Sequence, residues 1–265
     1  MSLRNLVFAA AAALPLSVAA AAPAEVLEIV GTGDGVVVLN ELATAFTAQH
    51  PDVDVQIPKS IGSGGAMKAV GTDKNVLGRV ARGIKDKEKP YGLEYRAFAR
   101  VPVVFFVHPE VAADNLTTTQ VLDIYSGKVT TWDEIGAGTG KIRVVRREDG
   151  DSSLDSLQKS LPGFSDITLL EKSKTANSTP EAFSTVEKTK GAIGFGPYDV
   201  AISSDVKVLT LDGKAPLTDA YPCMTTLGLV YKPANRTGTV AAFLDFTASD
   251  AALAVLPKAG ALGPN

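Results

Sequence analysis

Residues 26–70 read VLEIVGTGDGVVVLNELATAFTAQHPDVDVQIPKSIGSGGAMKAV, and the order of patterns along them decides the fold class. Val26 to Val30 is a short apolar strand, broken by Gly31-Thr32-Gly33-Asp34-Gly35. Val38, Leu39, Leu42, Ala43, Ala45 and Phe46 then recur at helical spacing until His50-Pro51 stops them. Val53 to Ile57 alternates with period two, as a half-buried strand does. Ser60-Ile61-Gly62-Ser63-Gly64-Gly65 forms a second glycine-rich turn, and Ala66 to Val70 suits a helix. Strand, loop and helix, twice over, predict an α/β fold whose sheet is at least partly parallel.

Two long extended segments follow, Tyr95 to His108 and Tyr221 to Lys232. Between them the chain has signals of its own. A helix runs from Thr117-Thr118-Thr119 to Gly127, a strand covers Ile142 to Val145, and a helix covers Ser153 to Leu161. Thr179-Pro180-Glu181 marks a further helix start, with Thr179 as N-cap and Pro180 at the first helical position. After Lys232 two helices are expected, near Val240–Phe246 and Ala251–Leu256, the latter capped by Ser249. The middle block is either a lobe inserted through two crossovers or an excursion from one continuous sheet. Periodicity does not separate the two.

Composition narrows the function. The 265 residues, 45% hydrophobic and 21% charged, make one large domain or two of medium size. A net charge of -3 argues against a nucleic-acid partner. The single cysteine, Cys223, excludes an intramolecular disulfide and a cysteine zinc cage. The 2 histidines, His50 and His108, lie far apart, which disfavours a metal site or a Ser-His-Asp triad. No cofactor and no metal are expected. At the start of the chain, Arg4, the apolar run Leu6–Leu16 and the small residues Val18–Ala22 predict a cleaved signal peptide over 1–22 and a soluble periplasmic protein.

The chemistry gathers in three small-residue loops that each precede a helix: Gly31–Gly35, Ser60–Gly65 and Arg147–Ser153. A helix start leaves amides unpaired and carries partial positive charge, and small residues let an anion reach them. Thr32, Ser63, Ser152 and Ser153 offer hydroxyls, and Arg147 offers a planar charged fork for two oxygens. Gly33, Asp34, Gly35 and Gly64 complete the candidate contacts. No Gly-Lys-Ser/Thr follows any loop, and Val36 stands where a dinucleotide fingerprint needs its third glycine. Nucleotide binding is disfavoured.

The segment Leu116–Trp132 (LTTTQVLDIYSGKVTTW), together with Val144–Gly150 (VVRREDG), Gly62–Lys68 (GSGGAMK) and Gly191–Gly196 (GAIGFG), resembles the periplasmic phosphate-binding proteins of ABC transporters. The resemblance runs from about Glu28 to the C-terminus. It implies a two-lobe periplasmic binding protein of type II, with lobe I from 23–104 and 225–265 and lobe II from 105–224. Val101–Val107 and Leu227–Tyr231 would be the crossovers, and Gly191–Gly196 a glycine-rich turn. It further implies a receptor for a small inorganic oxyanion, phosphate foremost, working as a monomer with an ABC permease or a periplasmic sensor domain. Ser63 falls on a serine that donates to the anion, Arg147 on the arginine that pairs with it, and Asp149 on an aspartate that orients the arginine. Thr32 to Gly35 match the first anion loop.

Two departures stand out. Asp151-Ser152-Ser153 replaces the family's Ser-Gly-Thr, and Ala81 stands where the family places the aspartate that accepts the ligand's proton. Either Asp34 or Asp151 takes over proton recognition while Arg79 or Arg82 adds positive charge beside Arg147, or both arginines are surface residues and Asp151 only caps a helix. These departures keep open a second reading, a receptor for arsenate or arsenite linked to a sensor kinase. In it Cys223 would face the cleft; the plainer expectation for this thiol is a buried apolar residue. A phosphate-ester hydrolase is a third reading, opposed by the lack of a nucleophile–base pair.

Overall fold

The computed structural model describes residues 24–218 and 220–264, so the signal peptide expected over 1–22 lies outside the described residues. The chain begins β1 (Glu25–Gly31), α1 (Val36–Thr47), β2 (Val53–Gln56), α2 (Gly62–Gly71) and β3 (Leu77–Val80), then enters the long strand β4 (Glu94–Val107). There follow β5 (Asn115–Leu116), α3 (Thr118–Ser126), β6 (Arg143–Arg147), α4 (Ser152–Ser160), β7 (Lys174–Ala176), α5 (Thr179–Lys188), β8 (Ala192–Pro197) and α6 (Tyr198–Ala201). Two short strands, β9 (Lys207–Val208) and β10 (Thr210–Leu211), lead to β11 (Met224–Tyr231), α7 (Gly238–Phe246) and α8 (Asp250–Val255).

The strands pair in the order β2-β1-β3-β11-β4-β8-β6-β7, with β9 on the end of β4. β1 pairs in parallel with β2 and β3, and β6 in parallel with β7 and β8. β4 belongs to both halves of this path. Its residues up to Pro102 pair antiparallel with β11, and from Val103 onward they pair antiparallel with β8. Proline brings no amide to the ladder, so the change of partner falls where a donor is already missing.

Two large cores lie on either side of that point. One joins Leu27, Ile29, Leu39, Phe46, Phe98, Leu229 and Phe243; the other joins Phe105, Phe106, Tyr125, Trp132, Leu157, Phe183 and Phe195. The chain therefore forms two α/β lobes. Leu227–Tyr231, expected as a crossover, lies inside the first lobe, between β3 and the first half of β4. The return passage is instead the stretch ending at Cys223, whose carbonyl accepts from the Val103 amide at 2.8 Å.

Three local differences from expectation bear on the site. The glycine-rich stretch from Gly62 is not a turn before α2 but its first turn, so Ser63 is a helical residue. Glycine is a poor helix former, yet Ala66, Met67 and Val70 bury against Val80 and Val230 and hold the helix down. Gly191 makes the turn expected across Gly191–Gly196, and the rest is the fully buried strand β8. The N-cap of α5 is Ser178, whose hydroxyl accepts from the Glu181 amide at 3.3 Å, rather than Thr179. This one-residue shift frees the Thr179 side chain.

Candidate functional site

A cavity of about 430 Å³ lies between the lobes. The first lobe lines it with Thr32, Gly33 and the segment 60–65; the second lines it with Arg147, Glu148, 150–152 and 177–179. Three helix starts, those of α2, α4 and α5, meet here. Ile61, the residue before α2, makes no side-chain cap; the Gly62 amide donates to Ser60 Oγ at 3.3 Å, and the next amides of the first turn have no side-chain acceptor among the described residues.

Arg147 is the last residue of β6 and is 3% exposed. Its Nε donates to the Ala176 carbonyl and to Glu148, both at 3.2 Å. Its Nη1 donates to Thr179 Oγ1 at 3.2 Å, and its Nη2 lies 2.7 Å from Asp151 Oδ2. A guanidinium has two N–H groups on Nη1; the second has no partner among the described residues. Asp149, expected to orient this arginine, is exposed and makes no such contact. Glu148 and Asp151 take that role, because β6 ends at Arg147 and Asp151 sits one turn on at the start of α4.

Asp151 has a second task. Its Oδ1 accepts from the Ser153 and Leu154 amides, both at 3.0 Å, and so caps α4. Burial, followed by the nearby charge of Asp34, pushes its carboxyl up to about 7, against the pull of Arg147. Asp34 lies behind the cavity wall, 2% exposed. Thr179 Oγ1 donates to its Oδ1 at 2.8 Å, and Ser153 Oγ to its Oδ2 at 3.4 Å. Burial raises the Asp34 carboxyl too, although Arg147 and these hydroxyls oppose the rise. Both acids lie beside the one arginine, whose charge opposes the rise in each.

Ser63 Oγ accepts from the Ala81 amide and lies 3.1 Å from Ser152 Oγ of the other lobe. Ala81 thus supplies a backbone donor that holds the serine, while its methyl group joins the first-lobe core. Lys85 Nζ makes a second contact across the cleft, 2.8 Å from Asp155 Oδ2.

Of the candidates, Thr32, Gly33, Ser63, Gly64, Arg147, Asp151 and Ser152 line the cavity, with Asp34 and Ser153 directly behind. Gly35 is the left-handed N-cap of α1, and a Cβ there would meet Leu227 at 2.4 Å. Arg79 does not join Arg147. Its guanidinium donates to the carbonyls of Thr32 and Pro58, both at 2.7 Å, and to that of Ile29. Burial lowers its pKa to about 10, so it stays charged at neutral pH. It is buried rather than on the surface, and it braces the first loop from behind. Arg82 is clamped by both Glu88 oxygens at 2.8 Å. Its charge is neutralised there.

Sequence reasoning missed Thr179 as a site residue, along with Asn177 and Ser178, which also line the cavity; Ser60 lines it too, as the first residue of the second loop. The signal in the sequence is the helix start at Thr179-Pro180-Glu181, which points to a cap rather than to a ligand contact. Cys223 does not line the cavity. It is fully buried in the second-lobe core, and burial pushes its thiol up to about 11.

Comparison with known proteins agrees with this architecture. Residues 18–251 match the family described as PBP superfamily domain, and the chain belongs to that family. It is similar to the phosphate-binding protein PstS of Bacillus subtilis (strain 168), 26% identical over 223 residues that span 78% of this chain and 70% of the relative. PstS of Staphylococcus saprophyticus is 24% identical over 260 residues, 87% of this chain and 81% of the relative. Among solved structures, a putative phosphate ABC transporter substrate-binding protein with bound phosphate from Clostridium perfringens superposes with a TM-score of 0.81 at 27% identity. That match covers 91% of this chain and all (100%) of the other. An ABC-type phosphate transport receptor from Vibrio cholerae shares the fold, with a TM-score of 0.64 at 21% identity over 91% of this chain and 100% of that one. The fold is the two-lobe α/β fold of these substrate-binding proteins, and the family is one of binding proteins rather than of enzymes.

Proposed function

We propose that the chain is an exported receptor that closes two lobes on a small tetrahedral oxyanion, with phosphate as its first ligand, and presents it to an ABC permease. The observation that carries this reading is Arg147. It is a buried guanidinium at the junction of the lobes, with one Nη1 donor unpaired among the described residues, lining the same cavity as the first turn of α2. Ser63, Ser152 and the α2 amides supply neutral donors. Asp151, which lines the cavity whereas Asp34 lies behind its wall, discriminates by proton: facing a protonated ligand oxygen a carboxylate accepts a hydrogen bond, and facing a bare one it repels. The names of the relatives and their bound phosphate support the ligand class.

In this reading the moving bodies are the two lobes that join between Pro102 and Val103 and after Cys223, the signal peptide over 1–22 directs export to the periplasm, and the receptor acts as a monomer without catalysis. A sensor domain is the alternative partner. Closure then shifts a population of open and closed forms. Calorimetry with inorganic phosphate on the mature chain and on Arg147→Ala tests the reading: the expected result is a loss of at least a hundredfold in affinity, and unchanged affinity overturns it.

A further inference from the structure

A second cavity, of about 590 Å³, adjoins the polar one and shares Gly33, Ser60, Ser178 and Thr179 with it. The rest of its wall is of opposite character. Val36, Val37, Ile57 and Pro58 come from the first lobe, Pro180 and Val200 from the second, with Lys59 as the one charged lining residue. Gly33 stands, with Ser60, Ser178 and Thr179, in the wall common to the two chambers. A Cβ there would stand 3.2 Å from Thr179 Cβ and Oγ1 and 3.5 Å from Ser60 Cβ. Gly33 is not in the left-handed region, so its missing side chain is a matter of space and not of backbone strain.

Cavities of about 300–1,000 Å³ with apolar walls and a few convergent polar groups hold organic ligands, whereas a free oxyanion has five heavy atoms and no apolar surface. We propose that the site takes monosubstituted phosphorus oxyacids, phosphonates or phosphate monoesters, with three oxygens in the polar chamber and a short apolar substituent in the adjoining one. This rests on the oxyanion-receptor reading above. A monosubstituted phosphoryl group keeps enough oxygens for Arg147, the Ser63–Ser152 pair and the α2 amides. It also keeps one acidic proton for a carboxylate acceptor. Its substituent covers walls that inorganic phosphate leaves wet, which is the source of the added affinity.

Calorimetry on the mature chain with inorganic phosphate, phenylphosphonate and phenyl phosphate tests the assignment, alongside Val200→Phe. Val200 is half-buried and lines only the apolar chamber. The expected result is that the phenyl ligands bind within tenfold of phosphate or more tightly. Val200→Phe then weakens them at least tenfold (about 1.4 kcal/mol) while phosphate stays within threefold. Val36→Phe, on the facing lobe, repeats the measurement should the first variant fail to fold. Binding of both phenyl ligands supports the shared chemistry, and binding of one alone names the bridging atom. Phosphate binding without either phenyl ligand, or phenyl binding indifferent to both fillings, overturns this inference and leaves the receptor standing. Failure of all three ligands overturns the receptor reading itself.

Discussion

Thr179 and Asp34, 145 positions apart in the chain and on opposite lobes, are joined by a hydrogen bond of 2.8 Å from Oγ1 to Oδ1. The same hydroxyl accepts from Arg147 Nη1 at 3.2 Å. One side chain thus relays between the cation of the second lobe and the buried acid of the first, and the relay exists only while the lobes are together. Four expected outcomes follow from such relationships.

Thr179→Val keeps the shape and removes the relay. Asp34 loses an acceptor bond inside the protein, a change of about 1–3 kcal/mol for a buried polar group. Urea unfolding is expected to show that loss, and calorimetry about a tenfold weaker phosphate complex. Thr179→Ser should restore both; if it does not, the methyl group and not the hydroxyl matters.

Asp151→Asn preserves a good N-cap for α4 and removes a carboxylate that competes for Arg147. The Asp151 carboxyl sits at about 7, so the acid is neutral below that pH and opposes an anion above it. The ratio of variant to wild-type phosphate affinity should be near one at pH 5.5 and tenfold or more at pH 8.5. A ratio that does not change with pH would remove Asp151 from ligand discrimination.

Asp199 lies in the first turn of α6 and is fully buried, with neither carboxylate oxygen hydrogen-bonded among the described residues. It faces the Val37, Val38 and Val200 amides at longer range; burial first and Asp34 second push it up to about 7. Because the folded value lies above the unfolded one, its contribution is fully present below about pH 4. It is lost as pH rises to about 7. Stability should fall across that window by up to about 4 kcal/mol at 1.36 kcal/mol per pH unit. Chemical denaturation of Asp199→Asn at pH 4.5 and 8 should show a smaller difference than the wild type, and an equal one would refute the assignment.

Arg79→Lys replaces a fork that reaches three carbonyls with a single ammonium. Charged hydrogen bonds are worth about 1.5–3 kcal/mol each, so a loss of about 2–4 kcal/mol in unfolding free energy is expected. Phosphate affinity should fall as well, because the Thr32 loop loses its brace. Stability within 0.5 kcal/mol of wild type, about the spread of neutral surface changes, would show the fork to be dispensable.

Much of the fold was legible because periodicity is a local property. Alternation at Val53–Ile57 and helical spacing at Val38–Phe46 each reflect one face turned to a core. The helix at Ser153, the long strand through Phe105 and the cap at Ser249 were equally local. What escaped depended on partners distant in the chain. Gly62–Gly65 has poor helix propensity and is helical only because the next turn packs on β3 and β11. Gly194 and Gly196 read as turn residues but lie in β8, where a Cβ would meet Phe106 or Phe183 at 2.9–3.0 Å. Arg79 and Arg147 look alike in sequence. One faces three carbonyls and the other faces a cavity, and only the tertiary fold sorts them.

The division of β4 between the two halves of the strand path also bears on the timing of folding. The second lobe is built from one unbroken stretch of chain, so it can assemble as soon as β11 begins to emerge. The first lobe cannot: β11 lies between β3 and β4, and Phe243 of α7 fills its core beside Phe46. Its closing contacts span nearly the whole polypeptide, and such long-range closure is slow. The segment that leaves the ribosome first therefore cannot complete its core until β11 and α7 have followed it.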